Sequence, residues 1–181
     1  SKTGLLISDL FGHTKRITSA SFSRNGNQII TTSEDSTMKI WDIKTGNIIS
    51  DFKTFNYPLR SAEINSMSPN QSLGDERILI TSYYCNQACL WDFNAQRKIA
   101  DLVGDWSKWS MDGKYIATIM NDNSAGIWDG KTGKQIAKLS GHLNSIRTLQ
   151  FMPDGKSILT NSYDHTSKVW DLNTGKLLYT F

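Results

Sequence analysis

Two sets of polar residues in this sequence have the types that serve nucleophilic catalysis. Each set contains a histidine, a serine and an aspartate followed by a tryptophan: His13, Ser33, Asp35 and Trp41, and then His142, Ser162, Asp164 and Trp170. In both sets the histidine lies 28, the serine eight and the aspartate six residues before the tryptophan. A serine activated by a histidine that an aspartate orients is the arrangement of Ser-His-Asp hydrolases. Such an enzyme also needs an accessible hydroxyl and oxyanion donors about 3 Å from the reacting atom, and nothing in the sequence points to either.

The two sets belong to a longer repeat. Residues 12–42 align without a gap with residues 141–171, sharing Gly-His at the start, Phe-x-x-x-Gly in the middle, Ser-x-Asp late and Trp-Asp at the close. Trp-Asp occurs twice more, so the tryptophans are separated by 50, 37 and 42 residues: Trp41, Trp91, Trp128 and Trp170. A period near 40 residues indicates a repeat architecture.

Short strands must position these residues. Runs rich in Ile, Thr, Phe, Trp and Val alternate with turn pairs, which is typical of an antiparallel all-β protein. The first unit predicts strands at 17–22, 28–33, 37–42 and 47–52, and the fourth ends on a strand at 176–181. Four pairs supply the positive φ that tight hairpins need: Asn25-Gly26, Thr45-Gly46, Asp154-Gly155 and Thr174-Gly175. No stretch shows an apolar period of 3.6 residues, so no helix is predicted.

With its Gly-His and Trp-Asp ends, this repeat resembles the blades of WD-repeat β-propellers, which have about 40–45 residues and four strands each. The resemblance covers nearly the whole chain and implies an all-β propeller segment of four blades of four-stranded antiparallel sheets, at about 12–53, 54–103, 104–140 and 141–181. Residues 4–11 then resemble the outer strand of a preceding blade. The family uses about seven blades more often than four, which favours part of a longer propeller; two chains joined in a larger ring, or an open unit, are the alternatives.

The resemblance gives the Ser, His and Asp residues a structural role. Similar residues of the family form a buried hydrogen-bonded tetrad that ties the loop before the first strand of a blade to the turn between its second and third strands. A buried imidazole and carboxylate must satisfy each other. We therefore expect these residues to stabilise a blade through hydrogen bonds and not to form a catalytic triad.

The two middle units depart from the pattern. The second has Phe55, Tyr83, Cys85 and Trp91 at the tetrad positions, and its surplus residues fall in the polar stretch 66–76. The third has Met120, Asp122 and Trp128 with no matching histidine, and its first strand must be truncated, with Asp105-Trp106 carrying most of it. We expect Trp106 and Trp109 to fill the core of this thinned blade.

Candidate partner-binding residues follow from two positions that often face the ligand-binding surface in proteins of this family. The position just before the tetrad aspartate gives Glu34, Tyr84, Asn121 and Tyr163. The position near the start of the first strand gives Thr18, Arg60 and Arg147, with Arg16 nearby. Tyrosine and arginine are enriched at interaction hot spots.

Composition narrows the function classes. The 181 residues are 38% hydrophobic and 20% charged, as in ordinary globular proteins. No apolar run of about 18 residues and no signal-peptide pattern is present. Two cysteines without metal-ligand spacing, Cys85 and Cys89, fit reduced thiols in the cytoplasm or nucleus. No metal site or cofactor is predicted.

The sequence thus favours a non-enzymatic interaction scaffold or adaptor module within a larger protein or complex, with protein or peptide partners and no membrane contact. A nucleic-acid-binding propeller that uses Arg16, Arg60 and Arg147 as phosphate contacts is one alternative, although the net charge is only +3. A Ser-His-Asp hydrolase is the other.

Overall fold

The computed structural model describes residues 6, 8–23, 26–53, 57–64, 77–82, 87–92, 95 and 97–181. These residues form sixteen strands in four antiparallel sheets of four, and the same part of the chain contains no helix, hence none that could span a membrane. The first two sheets contain β1 Ile17–Phe22, β2 Gln28–Ser33, β3 Met38–Asp42, β4 Ile48–Phe52, β5 Leu59–Ile64, β6 Arg77–Ser82, β7 Gln87–Asp92 and β8 Arg97–Val103. The last two contain β9 Trp106–Trp109, β10 Tyr115–Ile119, β11 Ala125–Asp129, β12 Gln135–Leu139, β13 Ile146–Phe151, β14 Ser157–Ser162, β15 Ser167–Asp171 and β16 Leu177–Thr180.

Each sheet is a meander whose strands lie in chain order. The two central strands are the most buried, as β2 and β3 show, because both of their faces are covered, whereas β1 and β4 are partly exposed. The register shifts by one residue next to each Trp-Asp tryptophan, where the third strand pairs with the fourth. Such a bulge increases the local twist of a sheet.

Consecutive sheets pack face to face. One core joins the first and second sheets through Ile40 and Ile80, a second joins the second and third through Leu90 and Ile116, and a third joins the third and fourth through Ile127 and Leu149. The sheets are arranged as the blades of a β-propeller, and they do not close into a ring. The predicted all-β fold is therefore confirmed.

Strand bounds in the first sheet match the prediction to within one residue. In the third sheet the first strand is indeed short, with four residues, but it begins at Trp106, so Asp105 lies before the strand and not in it. Trp109 is buried, and Trp106 is partly buried against the core between the third and fourth sheets. The polar stretch 66–76 and Asn25 lie outside the described residues.

The segment predicted as an outer strand, 4–11, is described at residues 6 and 8–11, and these are not in a strand. Residues 8 and 9 lie beside the first sheet. A Cβ added to Gly46, in the turn after β3, would touch Ser8 and Asp9. The equivalent glycines of the third and fourth sheets, Gly133 and Gly175, face β8 and β12, the outer strands of the preceding sheets.

Candidate functional site

Four buried side chains form a hydrogen-bonded network in the fourth sheet. Nδ1 of His142 lies 2.8 Å from a carboxylate oxygen of Asp164, and Nε2 lies 2.8 Å from the hydroxyl oxygen of Thr160. The indole N–H of Trp170 donates to the same hydroxyl oxygen at 2.8 Å. Every group is satisfied when Nδ1–H donates to Asp164 and the Thr160 hydroxyl donates to Nε2, which is a neutral imidazole.

The first sheet repeats this chain of contacts with nearly the same distances. His13 contacts Asp35 at 2.9 Å and Thr31 at 2.7 Å, and Trp41 donates to Thr31 at 2.7 Å. The aspartate also accepts the backbone N–H of the residue after the histidine, Thr14, at 2.9 Å. The loop before β1 is thereby tied to the turn between β2 and β3.

These hydrogen bonds set the charge of the aspartates. Burial by itself raises the pKa of the Asp35 carboxyl, but hydrogen bonds from the Thr37 hydroxyl, the Thr14 N–H and His13 outweigh it and hold that pKa well below its ordinary value of 3.8. For Asp164 burial likewise opposes ionisation, and equivalent hydrogen bonds lower its pKa in the same way. Both aspartates are therefore anions at neutral pH.

The hydroxyl of the network is a threonine, which corrects the placement of Ser33 and Ser162 in the tetrads. Ser33 donates to a main-chain carbonyl of the preceding loop at 3.2 Å, and Ser162 does the same at 2.8 Å. Each serine also accepts the N–H of the network aspartate at 3.1 Å. Because the histidine nitrogens contact aspartate and threonine, the serine hydroxyls are not placed to pass a proton to histidine.

A signal for these threonines was present in the sequence. A threonine stands ten residues before the Trp-Asp tryptophan in all four units, including the two that lack the histidine: Thr31, Thr81, Thr118 and Thr160. The signal was missed because the serine eight residues before the tryptophan also matches between the two regular units.

The middle sheets keep only part of the network. Trp128 donates to Thr118 at 2.9 Å, as in the regular sheets, but the Thr118 hydroxyl donates to the carbonyl of Val103 at 2.6 Å instead of contacting a histidine. In the second sheet Thr81 pairs with the hydroxyl of Ser61 at 2.8 Å, and Trp91 is buried. The predicted substitutes Phe55, Tyr83 and Cys85 lie outside the described residues.

β-Bulges determine where three of the predicted binding residues lie. The pairing of the first strand with the second shifts by one residue in the first, second and fourth sheets, and the residue skipped is Thr18, Arg60 or Arg147. A bulge re-aims the side chain of its extra residue away from the regular alternation of the strand. Arg60 and Arg147 are exposed there. In the third sheet the described pairing of β9 with β10 has no such shift.

The predicted turn residues lie at the same edge, which carries the turns between second and third strands and the connections between sheets; we call it the turn edge. Glu34 forms a 2.6 Å ion pair with Arg16, and the Arg147 guanidinium lies 5.9 Å from the ring centroid of Tyr163. Asn121 lies in the turn after β10. Tyr84 lies outside the described residues.

A cavity of about 350 Å³ opens between the first strands of three sheets. It brings together Thr18 and Arg60 with Asp105, Trp106 and several hydroxyl groups. Asp105 and Trp106 were not predicted as binding residues. Gly104 and Asp105 form the short connection between β8 and β9, and the place of Asp105 directly before a first strand is the signal that could have put it at this edge.

The described residues hold no group of three or more His, Cys, Asp or Glu side chains that could bind a metal ion. The thiol of Cys89 donates to Asp101 at 3.2 Å, and Cys85 lies outside the described part of the chain.

Four-stranded meanders packed in chain order and fastened by a Trp–Thr–His–Asp network define the class of WD-repeat propeller blades. The sequence model of that family, the WD domain or G-beta repeat, matches residues 4–42 and 133–171. The two matched stretches of the chain are therefore WD repeats.

Three relatives that this chain resembles are much longer than the chain. It is 25% identical over 158 residues to pre-mRNA-processing factor 19 homolog 2 of Arabidopsis thaliana, which covers 82% of the chain and 29% of the relative. It is 26% identical over 174 residues to nuclear distribution protein nudF of Aspergillus niger, covering 81% and 37%. It is 27% identical over 170 residues to eukaryotic translation initiation factor 3 subunit I of Neosartorya fischeri, covering 83% and 49%. The chain therefore spans less than half the length of these relatives.

Proposed function

We propose that this chain is a non-catalytic protein–protein interaction scaffold within a larger protein or complex, and that it binds partner segments through its turn edge. The observation that carries this proposal is the shared bulge position of Thr18, Arg60 and Arg147. Three sheets use the same local irregularity to present a side chain at the same edge. Bulges that re-aim side chains are typical of functional edges.

The chemistry at this edge suits a peptide or protein partner. The Arg147 guanidinium lies over the Tyr163 ring at 5.9 Å, so a cation and an aromatic face are presented side by side. The neighbouring cavity offers the Arg60 cation, the Asp105 anion and the Trp106 ring together. Such mixed charge with an aromatic surface favours a polypeptide over a uniformly anionic nucleic acid.

The names of the relatives support assembly in complexes. One relative is named as a subunit of a translation initiation factor and another as a pre-mRNA-processing factor. We infer that this chain likewise serves a complex in the cytoplasm or nucleus.

We further propose that the chain is a single propeller segment with blades at about 12–53, 54–103, 104–140 and 141–181, preceded by an outer strand at 4–11. The contact of Gly46 with Ser8 and Asp9 supports a preceding blade, because equivalent glycines face the outer strands of the preceding sheets. Further blades of the parent chain, or a second copy, would complete the ring.

The test is affinity purification of the full-length protein from its own cells, with quantitative mass spectrometry of the proteins that co-purify. The test variant combines Arg60→Ala, Arg147→Ala and Tyr163→Ala. The control combines three exposed residues in turns at the opposite edge: Met111→Ala, Lys114→Ala and Lys156→Ala.

We expect the test variant to recover at least tenfold less of the main partner and the control to change recovery less than twofold. Unchanged recovery with the test variant would refute the assignment of the site. Loss of the partner after nuclease treatment, or a collapse of binding between about 50 and 200 mM salt, would instead assign nucleic acid as the ligand.

A further inference from the structure

A second cavity, of about 380 Å³, opens on the third sheet and is separate from the one between the first strands. We call it the third-sheet groove. It is lined by Val103, Gly104, Met120, Asn121, Asp122, Gln135 and Lys138. Its volume lies within the range of sites that hold small molecules or single side chains of a partner, about 300–1,000 Å³.

The groove has its origin in a short connection between sheets. Two residues, 104–105, join β8 to β9, whereas six, 140–145, join β12 to β13. The longer connection contains Gly141 and His142, and the loop before β1 contains Gly12 and His13. The third sheet has no room for a Gly-His loop of this kind.

The groove corresponds to the space that the Gly-His loop fills in the first sheet. Gly12 there lies against Ile48, Trp41 and Lys39. The residue at the position of Ile48, seven after the tryptophan, is Gln135, which lines the groove.

Two side chains of the third sheet take part of that space. The residue at the position of Lys39 is Gly126, and a Cβ added there would lie 2.5 Å from Met120 and 2.7 Å from Trp128. The outer part of the space, beside Gln135 and Asp122, stays open, because Gly104 lies deeper, against Thr118 and the carbonyl of Ile119.

Asp122, which lines the groove, does not receive the hydrogen bonds that the Gly-His loop donates in the regular sheets. It occupies the position of Asp35 and Asp164, six residues before the tryptophan, and it retains the hydroxyl donor of its own turn, Ser124. In the regular sheets the second carboxylate oxygen accepts an imidazole N–H and a backbone N–H of the Gly-His loop. In the third sheet that oxygen accepts Lys138 at 2.6 Å.

The ion pair with Lys138 is a weak substitute for those donors. The Asp122 side chain is 54% exposed, against 6% for Asp35, and Lys138 is 48% exposed. Exposed pairs of this kind contribute about 0–1 kcal/mol. An incoming donor can therefore replace Lys138 at little cost.

We propose that the third-sheet groove binds a segment of a partner protein that carries a small residue followed by histidine, whose Nδ1–H donates to Asp122. The small residue takes the place that Gly12 and Gly141 have in the regular loops, and Met120 lines the groove beneath it. Amide groups of Asn121 and Gln135 flank the segment. That the occupant is a protein rests on the proposed scaffold function, while the groove itself is independent of Arg60, Arg147 and Tyr163.

The test uses a capped peptide, acetyl-Gly-His-Leu-Asn-amide, with the sequence of residues 141–144. Its matched control carries histidine methylated on Nδ1, which removes the donor and keeps the ring. Binding is followed by ¹⁹F NMR of the full-length protein labelled with 5-fluorotryptophan, with the Trp128 signal assigned through Trp128→Phe. Trp128 reports on the groove because its indole and the side chain of Met120, which lines the groove, both lie against Gly126.

We expect the histidine peptide to shift the Trp128 signal with at least tenfold higher affinity than the methylated peptide, and Asp122→Asn to lose that difference. Gln135→Trp should block binding by filling the groove, whereas Lys134→Trp, next to it in sequence but not in the lining, should leave binding unchanged. No shift, equal affinity of the two peptides, or full binding by Asp122→Asn would overturn the inference. The variant with alanine at Arg60, Arg147 and Tyr163 should bind the peptide normally, so failure here is distinct from failure of the scaffold proposal.

Discussion

Replacing Thr160 with valine removes one oxygen atom from the centre of the buried network in the fourth sheet. That oxygen lies 2.8 Å from Nε2 of His142 and 2.8 Å from Nε1 of Trp170. Thr160 is 0% exposed and Trp170 is 1% exposed, so water has no access to replace the hydroxyl. Valine keeps the branched shape of threonine, and the change therefore tests the hydrogen bonds and not the packing.

The size of the effect follows from the two ring nitrogens left without a partner. Each buried polar group that loses its hydrogen bond costs about 1–3 kcal/mol, and the extra methyl group returns about 0.8 kcal/mol. The free energy of unfolding should fall by about 3 kcal/mol. For a domain of this length about 2–4 °C is lost per kcal/mol, which corresponds to a decrease in Tm of about 6–12 °C.

The assay is urea and thermal unfolding followed by circular dichroism, with Ser162→Ala as the paired variant. The Ser162 hydroxyl donates to main-chain carbonyls at an exposed site, where water can replace it, so its loss should cost about 1 kcal/mol. Thr148→Val, at an exposed threonine of β13, controls for the change of residue type. If Ser162→Ala destabilised the protein as much as Thr160→Val, the assignment of threonine to the network would be wrong.

Three further perturbations test the same structure. Hydrogen bonds hold the pKa of Asp35 below its ordinary 3.8, so the ionised carboxylate stabilises the folded protein above about pH 4 and this stabilisation is lost on acidification. The urea midpoint of the wild type should therefore fall more steeply from pH 5 to pH 2 than that of Asp35→Asn. Lys39 is 4% exposed and its ammonium lies 2.8 Å from Asp51. Asp51→Ala should therefore lower the free energy of unfolding, measured by urea denaturation, by about 1–3 kcal/mol, and an unchanged value would contradict the pairing. Gly104→Ala should lower the free energy of unfolding by more than about 3 kcal/mol, because φ is +120° and the added Cβ would lie 2.5 Å from a main-chain carbonyl oxygen. Gly155→Ala, at φ +64° in open space, should lower it by about 1 kcal/mol, and equal melting temperatures of the two variants would refute the close contact.

The fold was predictable because its signals are redundant along the chain. Four Trp-Asp pairs give the repeat, and turn glycines such as Gly46 and Gly175 mark the hairpins with positive φ. A strand buried on both faces must consist mainly of apolar or hydroxyl residues, as β2 does; β3 departs from this at Lys39, whose ammonium pairs with Asp51. These local requirements agree with one another in every sheet, which is why the strand bounds of the first sheet could be predicted so closely.

The network hydroxyl was harder to predict, and the reason is geometric. Thr31 and Ser33 are two residues apart in β2, so strand periodicity places both on the same face. Only the reach of the Trp41 indole decides between them. Trp41 pairs with Ile29 across the sheet, which brings its N–H to Thr31 and not further along the strand to Ser33. A spacing read from sequence contains no information about that reach.

The bulges were not predictable for a related reason. The alignment gave Thr18, Arg60 and Arg147 a common register, but one extra residue in a strand leaves composition and length almost unchanged. Whether the residue is paired or skipped depends on the hydrogen bonds of the neighbouring strand. The structure therefore adds the physical basis for a shared orientation that the sequence could only align.

The third sheet departs from the regular sheets in a way that avoids an energetic penalty. Removing the histidine alone would leave the Thr118 hydroxyl without a buried partner, but the shortened connection brings the carbonyl of Val103 to within 2.6 Å of it. The inner half of the network is thus satisfied without the loop, since Trp128 still donates to Thr118. The outer half is left open, with Asp122 facing solvent and Lys138. The third sheet therefore keeps its buried hydrogen bonds while its outer carboxylate can accept a donor from another molecule. In the regular sheets that carboxylate already accepts its donors from the Gly-His loop.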